Sequence, residues 1–296
     1  MRAKGTNAAS TVKGIIRTLR NGENVGLFAE GARSWNGVTA PILSSTGKMI
    51  KSAKCGLVTY KIKGGYFTSP LWSKGGTRKG KISGGVVRVF TKEQLADMSV
   101  DEINAIIKED LHEDAYETQS HLNSKYKGKK LAEKIESMVF ACPECESIDA
   151  LTSSKNIVKC QKCCHTFTYD EFGNINNSKF KTTKEMFSWL KDKVLNDADS
   201  NEQYSSNDCS MVIVDNHTEN LIAQGTLTIN PKVIKCDDVE VFIEDINNFS
   251  MHGRNALVFS TKDTYYEILV SETTSALKFY MMYQAYKYQR IDSFNF

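Results

Sequence analysis

The chain has 296 residues, of which 41 % are hydrophobic and 25 % charged, the composition of an ordinary globular protein with two or three domains. These proportions exclude a chain that is disordered throughout, a collagen and a long coiled coil. No stretch approaches the roughly 18 apolar residues of a membrane-spanning helix, and the N-terminal residues lack the apolar core of a signal peptide. We therefore expect a chain that neither spans a membrane nor is secreted, with cysteines that are thiols or metal ligands.

The net charge of +3 hides an uneven distribution. Residues 31–92 contain twelve Lys or Arg and no Asp or Glu, whereas residues 93–120 contain nine acids against one Lys and residues 197–296 contain fifteen acids against seven bases. A basic field of this size attracts phosphorylated small molecules, anionic lipid headgroups or nucleic acid. The alternative is a lysine-rich solvated face. The complete absence of acids over residues 31–92 favours anion binding.

In chain order, the first part of the sequence alternates helix and strand patterns. Apolar residues at helical spacing predict a helix over residues 8–21 that ends at Gly22. We then predict a short buried strand at 25–28, a helix at 45–54, strands at 57–62 and 84–90, and an acidic helix that opens with a capping box at Ser99 and Glu102 and runs toward Tyr116. This alternation is typical of an α/β unit in which helices cover a sheet.

The remainder of the chain divides where its composition changes. Residues 125–134 are polar and lysine-rich, and the polar stretch 196–209 is interpreted as a linker. Runs of β-branched and aromatic residues predict strands at 211–214, 239–243, 256–259 and 265–270, followed by a core-packing helix at 275–288. We therefore predict four segments: an α/β domain at 1–138, a cysteine-containing segment at 139–173, a helix and polar linker at 174–207, and a β-rich α+β domain with a C-terminal helix at 208–296.

Four of the eight cysteines form two Cys-x-x-Cys pairs with fourteen residues between them. The four are Cys142, Cys145, Cys160 and Cys163, and their spacing is close to that of a zinc ribbon. Because four thiolates complete a tetrahedral shell and leave no position for water or substrate, we predict a structural Zn²⁺ that supplies folding energy. Cys164 and His165 adjoin the second pair, so one of them is an alternative to Cys163.

Phe28–Ser34, with the sequence FAEGARS, follows the predicted strand at 25–28, a position from which α/β folds often present functional side chains. Gly31 permits a positive φ or a close backbone approach, Arg33 can hold a phosphate with two hydrogen bonds, and Glu30 can accept a hydrogen bond from a substrate hydroxyl. The alternative is that Glu30 and Arg33 pair with each other on the surface.

FAEGARS resembles the Phe-Pro-Glu-Gly-Thr-Arg-Ser signature of the glycerolipid acyltransferases that convert 1-acylglycerol 3-phosphate to phosphatidic acid. The preceding helix and NGENVGLF strand, the Ser-Thr-Gly-Lys helix and the LVTYKIKGGYFTSPLW strand also agree, so the similarity covers roughly residues 1–120. The resemblance implies a partial acyltransferase-type α/β domain in which Glu30 and Arg33 position the glycerol-phosphate acceptor. It also implies that Gly31 and Ser34 shape the loop and that Arg2 adds a second phosphate contact.

The sequence departs from the family in ways that bear on its chemistry. Ala29 and Ala32 replace the usual proline and threonine. The family's catalytic His-x-x-x-x-Asp block, which should precede the signature, is missing, so no catalytic residue is assigned. The one match to that spacing, His165 to Asp170, follows the signature and overlaps the cysteines, and we interpret it as coincidence. The resemblance implies that Met1 lies inside a longer domain, whose partial form is expected to expose sheet edges and apolar surface.

The sequence therefore predicts an acyltransferase that moves an acyl chain from acyl-CoA or acyl-carrier protein to lysophosphatidic acid, with the activity of this chain left open. We expect a cytoplasmic protein held peripherally on the anionic inner face of a membrane by residues 31–92. The alternative is a non-catalytic zinc-ribbon binding or scaffold protein, for which nucleic acid is a candidate ligand. Nucleic-acid binding is the less favoured interpretation, because residues 142–165 balance three lysines against three acids with little aromatic content. The C-terminal domain is weakly similar to pleckstrin-homology-like domains, and we predict for it a protein-contact or regulatory role.

Overall fold

The computed structural model describes residues 8–31, 33–215 and 218–291. About 31 % of the chain is helix and 30 % strand, which confirms the prediction of a mixed α/β protein. The chain forms two compact units. Of the described residues, the first contains those from Ala8 to Pro70 together with Gly80–Ser124, and the second contains Leu71–Lys79 and those from Lys125 to Ile291. Within the described ranges, no helix is long and apolar enough to cross a membrane.

The first unit consists of six helices and a two-stranded antiparallel sheet among its described residues. The elements are α1 (Ala8–Arg20), α2 (Ser45–Ala53), β1 (Leu57–Lys63), α3 (Gly65–Thr68), β2 (Ser83–Phe90), α4 (Lys92–Asp97), α5 (Val100–Leu111) and α6 (Ala115–Leu122). The capping box predicted at the start of α5 is present, since Ser99 accepts from the Glu102 amide and Glu102 accepts from the Ser99 amide. The helix ends at Leu111, and a separate helix begins at Ala115.

The predicted buried strand at residues 25–28 is wrong. Residues 23–28 adopt no regular structure, and the side chains of Leu27 and Phe28 are 52 % and 81 % exposed. A strand is held by hydrogen bonds to a neighbouring strand, and within the part of this unit that the structure describes, the two strands pair with each other and with no third strand. An apolar run of four residues therefore does not form a strand without a partner.

One face of the β1–β2 sheet packs on α5, and the other is open to solvent. The core of the unit is formed by Ile50, Leu95, Ile103 and Ile107. On the open face, cross-strand pairing places Val58 opposite Val89 and Tyr60 opposite Val86, and all four side chains are more than half exposed. This face of the sheet therefore exposes contiguous apolar surface.

The second unit carries two antiparallel sheets and two long helices. Its elements are β3 (Leu151–Ser154), β4 (Ile157–Cys160), β5 (Thr166–Tyr169), β6 (Ile175–Asn176), α7 (Thr183–Asp199), β7 (Tyr204–Asp215), β8 (Thr218–Ile229), β9 (Val233–Cys236), β10 (Val239–Phe242), β11 (Asn247–His252), β12 (Ala256–Ser260), β13 (Tyr265–Leu269) and α8 (Ala276–Tyr288). Strands β3–β6 form a four-stranded sheet, and the other seven form a sheet in the order β10-β9-β8-β7-β13-β12-β11.

Helix α8 lies against the seven-stranded sheet and also contacts α7. Ten consecutive residues of α8, from Ala276 to Ala285, are buried, so the helix is enclosed on all sides rather than amphipathic. The ring of Tyr283 stacks on Phe249 with 4.2 Å between ring centroids, which joins the helix to β11. The predicted C-terminal helix is thus confirmed, and it is the core of this part of the molecule.

The predicted linker at 196–209 is shorter in the structure. Residues up to Asp199 complete α7, and β7 begins at Tyr204, which leaves 200–203 as the connection. Tyr204, Ser206 and Cys209 are buried although their neighbours are polar and exposed. The low apolar content of the stretch therefore reflects an edge of the core, where one residue in two or three faces inward.

Residues 71–79 belong to the second unit although they lie within the α/β segment predicted at 1–138. The guanidinium carbon of Arg78 lies 5.2 Å from the ring centroid of Trp72 and 5.1 Å from that of Tyr169. Arg78 also donates a hydrogen bond of 2.6 Å to the Leu131 carbonyl. These contacts fix residues 71–79 against the four-stranded sheet by cation–π attraction and charge-assisted hydrogen bonding.

Candidate functional site

The four predicted cysteines form a compact cluster of sulfur atoms. Cys142, Cys145, Cys160 and Cys163 contribute Sγ atoms that all lie within 4.8 Å of one another. The Cys142–Cys163 and Cys145–Cys160 sulfur pairs are each 3.7 Å apart. Four sulfurs placed about 2.3 Å from one ion at tetrahedral positions are separated by about 3.8 Å. The spacing therefore fits a single tetrahedral metal ion, and the cluster can bind one.

Both Cys-x-x-Cys turns have the same backbone geometry. In each, the main-chain amide four residues after the first cysteine donates to that cysteine's carbonyl, from Glu146 to Cys142 over 2.9 Å and from Cys164 to Cys160 over 3.1 Å. Glu146 and Cys164 have φ values of 59° and 61°, the left-handed conformation that closes such a turn. Cys164 is thereby turned out of the cluster, and the sulfur of Cys163 completes it.

Main-chain amides also point at the sulfur atoms. The amides of Glu144 and Lys162 each donate over 3.4 Å to the first sulfur of their turn, on Cys142 and Cys160. Such hydrogen bonds stabilise thiolate charge and orient the ligands of a metal. The arrangement presents four sulfurs to one point and leaves no open position for a reacting molecule, so it suits a structural ion.

The sulfurs of the first turn differ in acidity. Burial raises the pKa of the Cys142 thiol to about 12, whereas the hydrogen bond with Ser147 lowers the pKa of the Cys145 thiol to about 6. Two thiolates in contact repel each other, and a divalent cation removes that repulsion. The chemistry of the donor set therefore agrees with its geometry.

The predicted acceptor-binding residues Glu30 and Arg33 hydrogen-bond to different parts of the first unit. Glu30 is half-buried, and its Oε2 accepts a hydrogen bond of 2.8 Å from the Ala40 amide. Burial raises the pKa of this carboxyl above its usual value, and the Ala40 hydrogen bond opposes that shift. Arg33 is exposed, and its Nη1 donates to the carbonyl and hydroxyl of Ser69 over 3.0 and 2.8 Å.

Glu30 lies in a tight turn formed by residues 28–31. Gly31 has φ of 72°, and its amide donates to the Phe28 carbonyl over 3.1 Å. Ser34 is half-buried in the irregular segment that follows. Two residues of the prediction, Arg2 and Ala32, lie outside the described residues.

The His165–Asp170 pair does not share a hydrogen-bonded site. Asp170 accepts hydrogen bonds from the amides of Phe172 and Asn174 over 2.9 and 2.8 Å, so its carboxylate organises the turn between β5 and β6. His165 follows the second cysteine turn and packs toward Phe167 with 6.2 Å between ring centroids. These placements give the two side chains separate local roles.

Sequence reasoning missed a buried lysine whose ion-pair partner follows the first cysteine turn in the chain. The side chain of Lys278 on α8 is fully buried and forms an ion pair with Asp149, four residues after Cys145. Its ammonium also donates to the Ser205 carbonyl over 2.8 Å and to the Ser206 hydroxyl over 2.6 Å. No local pattern could reveal this pair, because 129 residues separate its members. The one available signal was a lysine among the mainly apolar and aromatic residues of the predicted C-terminal helix.

Comparison with known proteins gives no assignment for the chain. No protein-family model matches it, and neither a curated protein nor a solved structure matches it.

Proposed function

We propose that the four-cysteine cluster holds one structural Zn²⁺ and that the second unit is a zinc-ribbon-containing module. The observation that carries this proposal is the 3.7 Å separation of the sulfur pairs, which matches a tetrahedral shell. Zinc is favoured over other metals because four thiolates in a tetrahedron suit a d¹⁰ ion with no other geometric preference. When bound, the ion would cross-link two chain segments and take part in no reaction.

Metal content measured on the purified chain tests this proposal. One zinc per chain is expected for the wild type, and Cys160→Ser should reduce both stoichiometry and stability. Cys55→Ser is a matched control, because Cys55 is a half-buried cysteine outside the cluster and its loss should leave the zinc content unchanged. Metal-free protein with full thermal stability would refute a structural ion.

We further propose that the first unit binds the acceptor of a glycerolipid acyltransferase. The free hydroxyl of 1-acylglycerol 3-phosphate would attack an acyl thioester, from acyl-CoA or acyl-carrier protein, and release the thiol. Three observations support acceptor binding by the Phe28–Ser34 loop: an exposed guanidinium held by Ser69, a carboxyl desolvated by burial, and a basic segment without acids. The proposal includes no base from this chain, because the His-x-x-x-x-Asp block is missing.

The same basic segment would hold the unit at an anionic membrane surface, on the cytoplasmic inner face, where both substrates reside. The seven-stranded sheet closed by α8 is proposed as a pleckstrin-homology-like module for protein contact, since the chain from residue 197 onward has a net charge of −8 (7 − 15) and is poorly suited to anionic lipid.

Binding of lysophosphatidic acid tests the acceptor site. We expect Arg33→Ala to weaken binding by about tenfold or more, since it removes a charge-assisted phosphate contact. Lys48→Ala removes an equal charge from an exposed position on α2 and should change binding far less. Equal effects of the two variants would show that only general charge matters. Retention on single-stranded nucleic acid, with no flotation on phosphatidic-acid liposomes, would favour the scaffold alternative.

A further inference from the structure

The first cysteine turn and the Lys278 ion pair belong to one short loop. Residues 141–149 carry the metal-site cysteines Cys142 and Cys145 at one end and Asp149 at the other. The loop is closed on itself, because Ala141 pairs with Ile148 as an isolated β-bridge and the Asp149 amide donates to the Phe140 carbonyl over 2.8 Å. The two cysteines and Asp149 therefore lie in one nine-residue loop whose ends are hydrogen-bonded together.

Asp149 in turn compensates a charge at the centre of the C-terminal core. Lys278 is fully buried in α8, among residues that face the seven-stranded sheet and α7. Its other two hydrogen-bond acceptors, the Ser205 carbonyl and the Ser206 hydroxyl, are uncharged groups of β7. Asp149 is the negative charge in this set, and a buried ammonium without one is strongly unfavourable.

Asp149 also needs the loop to hold it. Its φ of 54° is left-handed, a conformation that aspartate adopts more readily than most non-glycine residues but less readily than the α or β regions. Its side chain keeps 30 % exposure and borders an open cavity of about 410 Å³, so water competes for the carboxylate. If the loop were no longer held to Cys160 and Cys163 through a metal ion, Asp149 could leave Lys278 and be hydrated by water instead.

We propose that the metal site is a clamp on the C-terminal domain: metal binding at the four cysteines fixes the loop at residues 141–149, and Asp149 then holds helix α8 in the sheet through Lys278. The inference depends on the proposed metal site and goes beyond it. Because coupling between two sites is reciprocal, loss of the ion pair must also weaken metal binding.

Hydrogen exchange of the full chain, with and without a zinc chelator, tests the clamp. In the wild type, chelation should raise amide exchange in α8 and β7 by about tenfold or more, together with exchange in the loop itself. In Lys278→Met, which removes the charge and keeps the bulk, chelation should deprotect the loop and leave α8 and β7 unchanged. Glu272→Gln is the matched control, since it breaks the exposed Lys74–Glu272 ion pair just before α8 and should retain the wild-type response.

Metal affinity gives the second readout. Titration of Zn²⁺ against a chromogenic chelator should give a dissociation constant about tenfold weaker for Lys278→Met than for Glu272→Gln, and Asp149→Asn should behave like Lys278→Met. If chelation exposes the loop but α8 stays protected in the wild type, or if Lys278→Met keeps the coupling, the clamp is refuted while the metal site stands. If the chain takes up no metal at all, the metal site itself is refuted.

Discussion

Removing either partner of the Lys278–Asp149 ion pair should change the stability of the second unit by different amounts. Removing the carboxylate leaves a buried ammonium with two neutral acceptors, whereas removing the ammonium leaves a carboxylate that already has solvent on one side. We therefore expect Asp149→Ala to destabilise the second unit strongly and Lys278→Met to change its stability little, although both variants delete the same interaction.

The size of the effect follows from the titration of the lysine. Breaking a buried ion pair from one side costs about 3–5 kcal/mol. The cost cannot much exceed that of deprotonating the lysine, which at pH 7 and an ordinary pKa of about 10.4 is roughly 4.6 kcal/mol. We expect about 3 kcal/mol for Asp149→Ala, because water from the adjoining cavity can partly replace the carboxylate. For Lys278→Met, packing of the methionine should keep the loss to about 1 kcal/mol.

Urea denaturation monitored by tryptophan fluorescence provides the measurement, since Trp72 and Trp189 both lie in the second unit. The pH dependence adds a check of sign. Burial lowers the pKa of Lys278, and Asp149 opposes that shift, so the pKa should fall further in Asp149→Ala. The unfolded chain then binds more protons than the folded one between that lowered pKa and about 10.4, and the stability lost in Asp149→Ala should be regained as pH rises through this window. Equal losses in the two variants, independent of pH, would refute a charge-based explanation.

Three further changes probe the first unit. Glu30→Gln should stabilise the chain at neutral pH and lose that advantage on acidification. Burial raises the pKa of Glu30, so the wild type gains stability relative to the variant as the carboxyl protonates. Thermal unfolding over a pH series measures the difference in stability between the two. Gly31→Ala should lower the free energy of unfolding in urea by about 1–2 kcal/mol, because the φ of Gly31 is 72°. Gly26→Ala should not destabilise the chain, because Gly26 has no positive φ and an added Cβ would meet no atom within 4 Å. Ile103→Ala should cost about 2–5 kcal/mol by the same assay, whereas Val86→Thr on the exposed sheet face should stay within about 0.5 kcal/mol.

Features that depend on residues only a few positions apart in the chain could be predicted from the sequence. The capping box that starts α5 could be predicted because its partners, Ser99 and Glu102, are three residues apart. The four metal-site cysteines could be identified by their spacing. In the seven-stranded sheet, three strands, β8, β9 and β11, were missed. In β8, whose first residues are TENL, most side chains are exposed or half-buried, so the strand shows no apolar alternation. Its position is set by pairing with β7, and cross-strand pairing leaves no local signature.

The loop at Phe28–Ser34 shows the same limit of sequence-based prediction for a binding site. The motif at Phe28–Ser34 identified a carboxylate and a guanidinium, and their separation in sequence allowed them to pair with each other or to act together. Their partners were found only in the structure, at Ala40 for Glu30 and at Ser69 for Arg33. Ser69 is 36 residues from Arg33, so only the folded chain could bring the two together.

The sequence by itself determined the metal-binding potential of this protein and the kind of several local elements. The spacing of the four cysteines can be read directly from the chain, and helix caps and apolar periodicity depend on residues a few positions apart. Only the tertiary structure decided what surrounds Lys278, where Asp149 lies and which face of the β1–β2 sheet stays open. Those outcomes depend on contacts between residues far apart in the chain, and burial of a charge has no energetic meaning until the folded chain has excluded water around it.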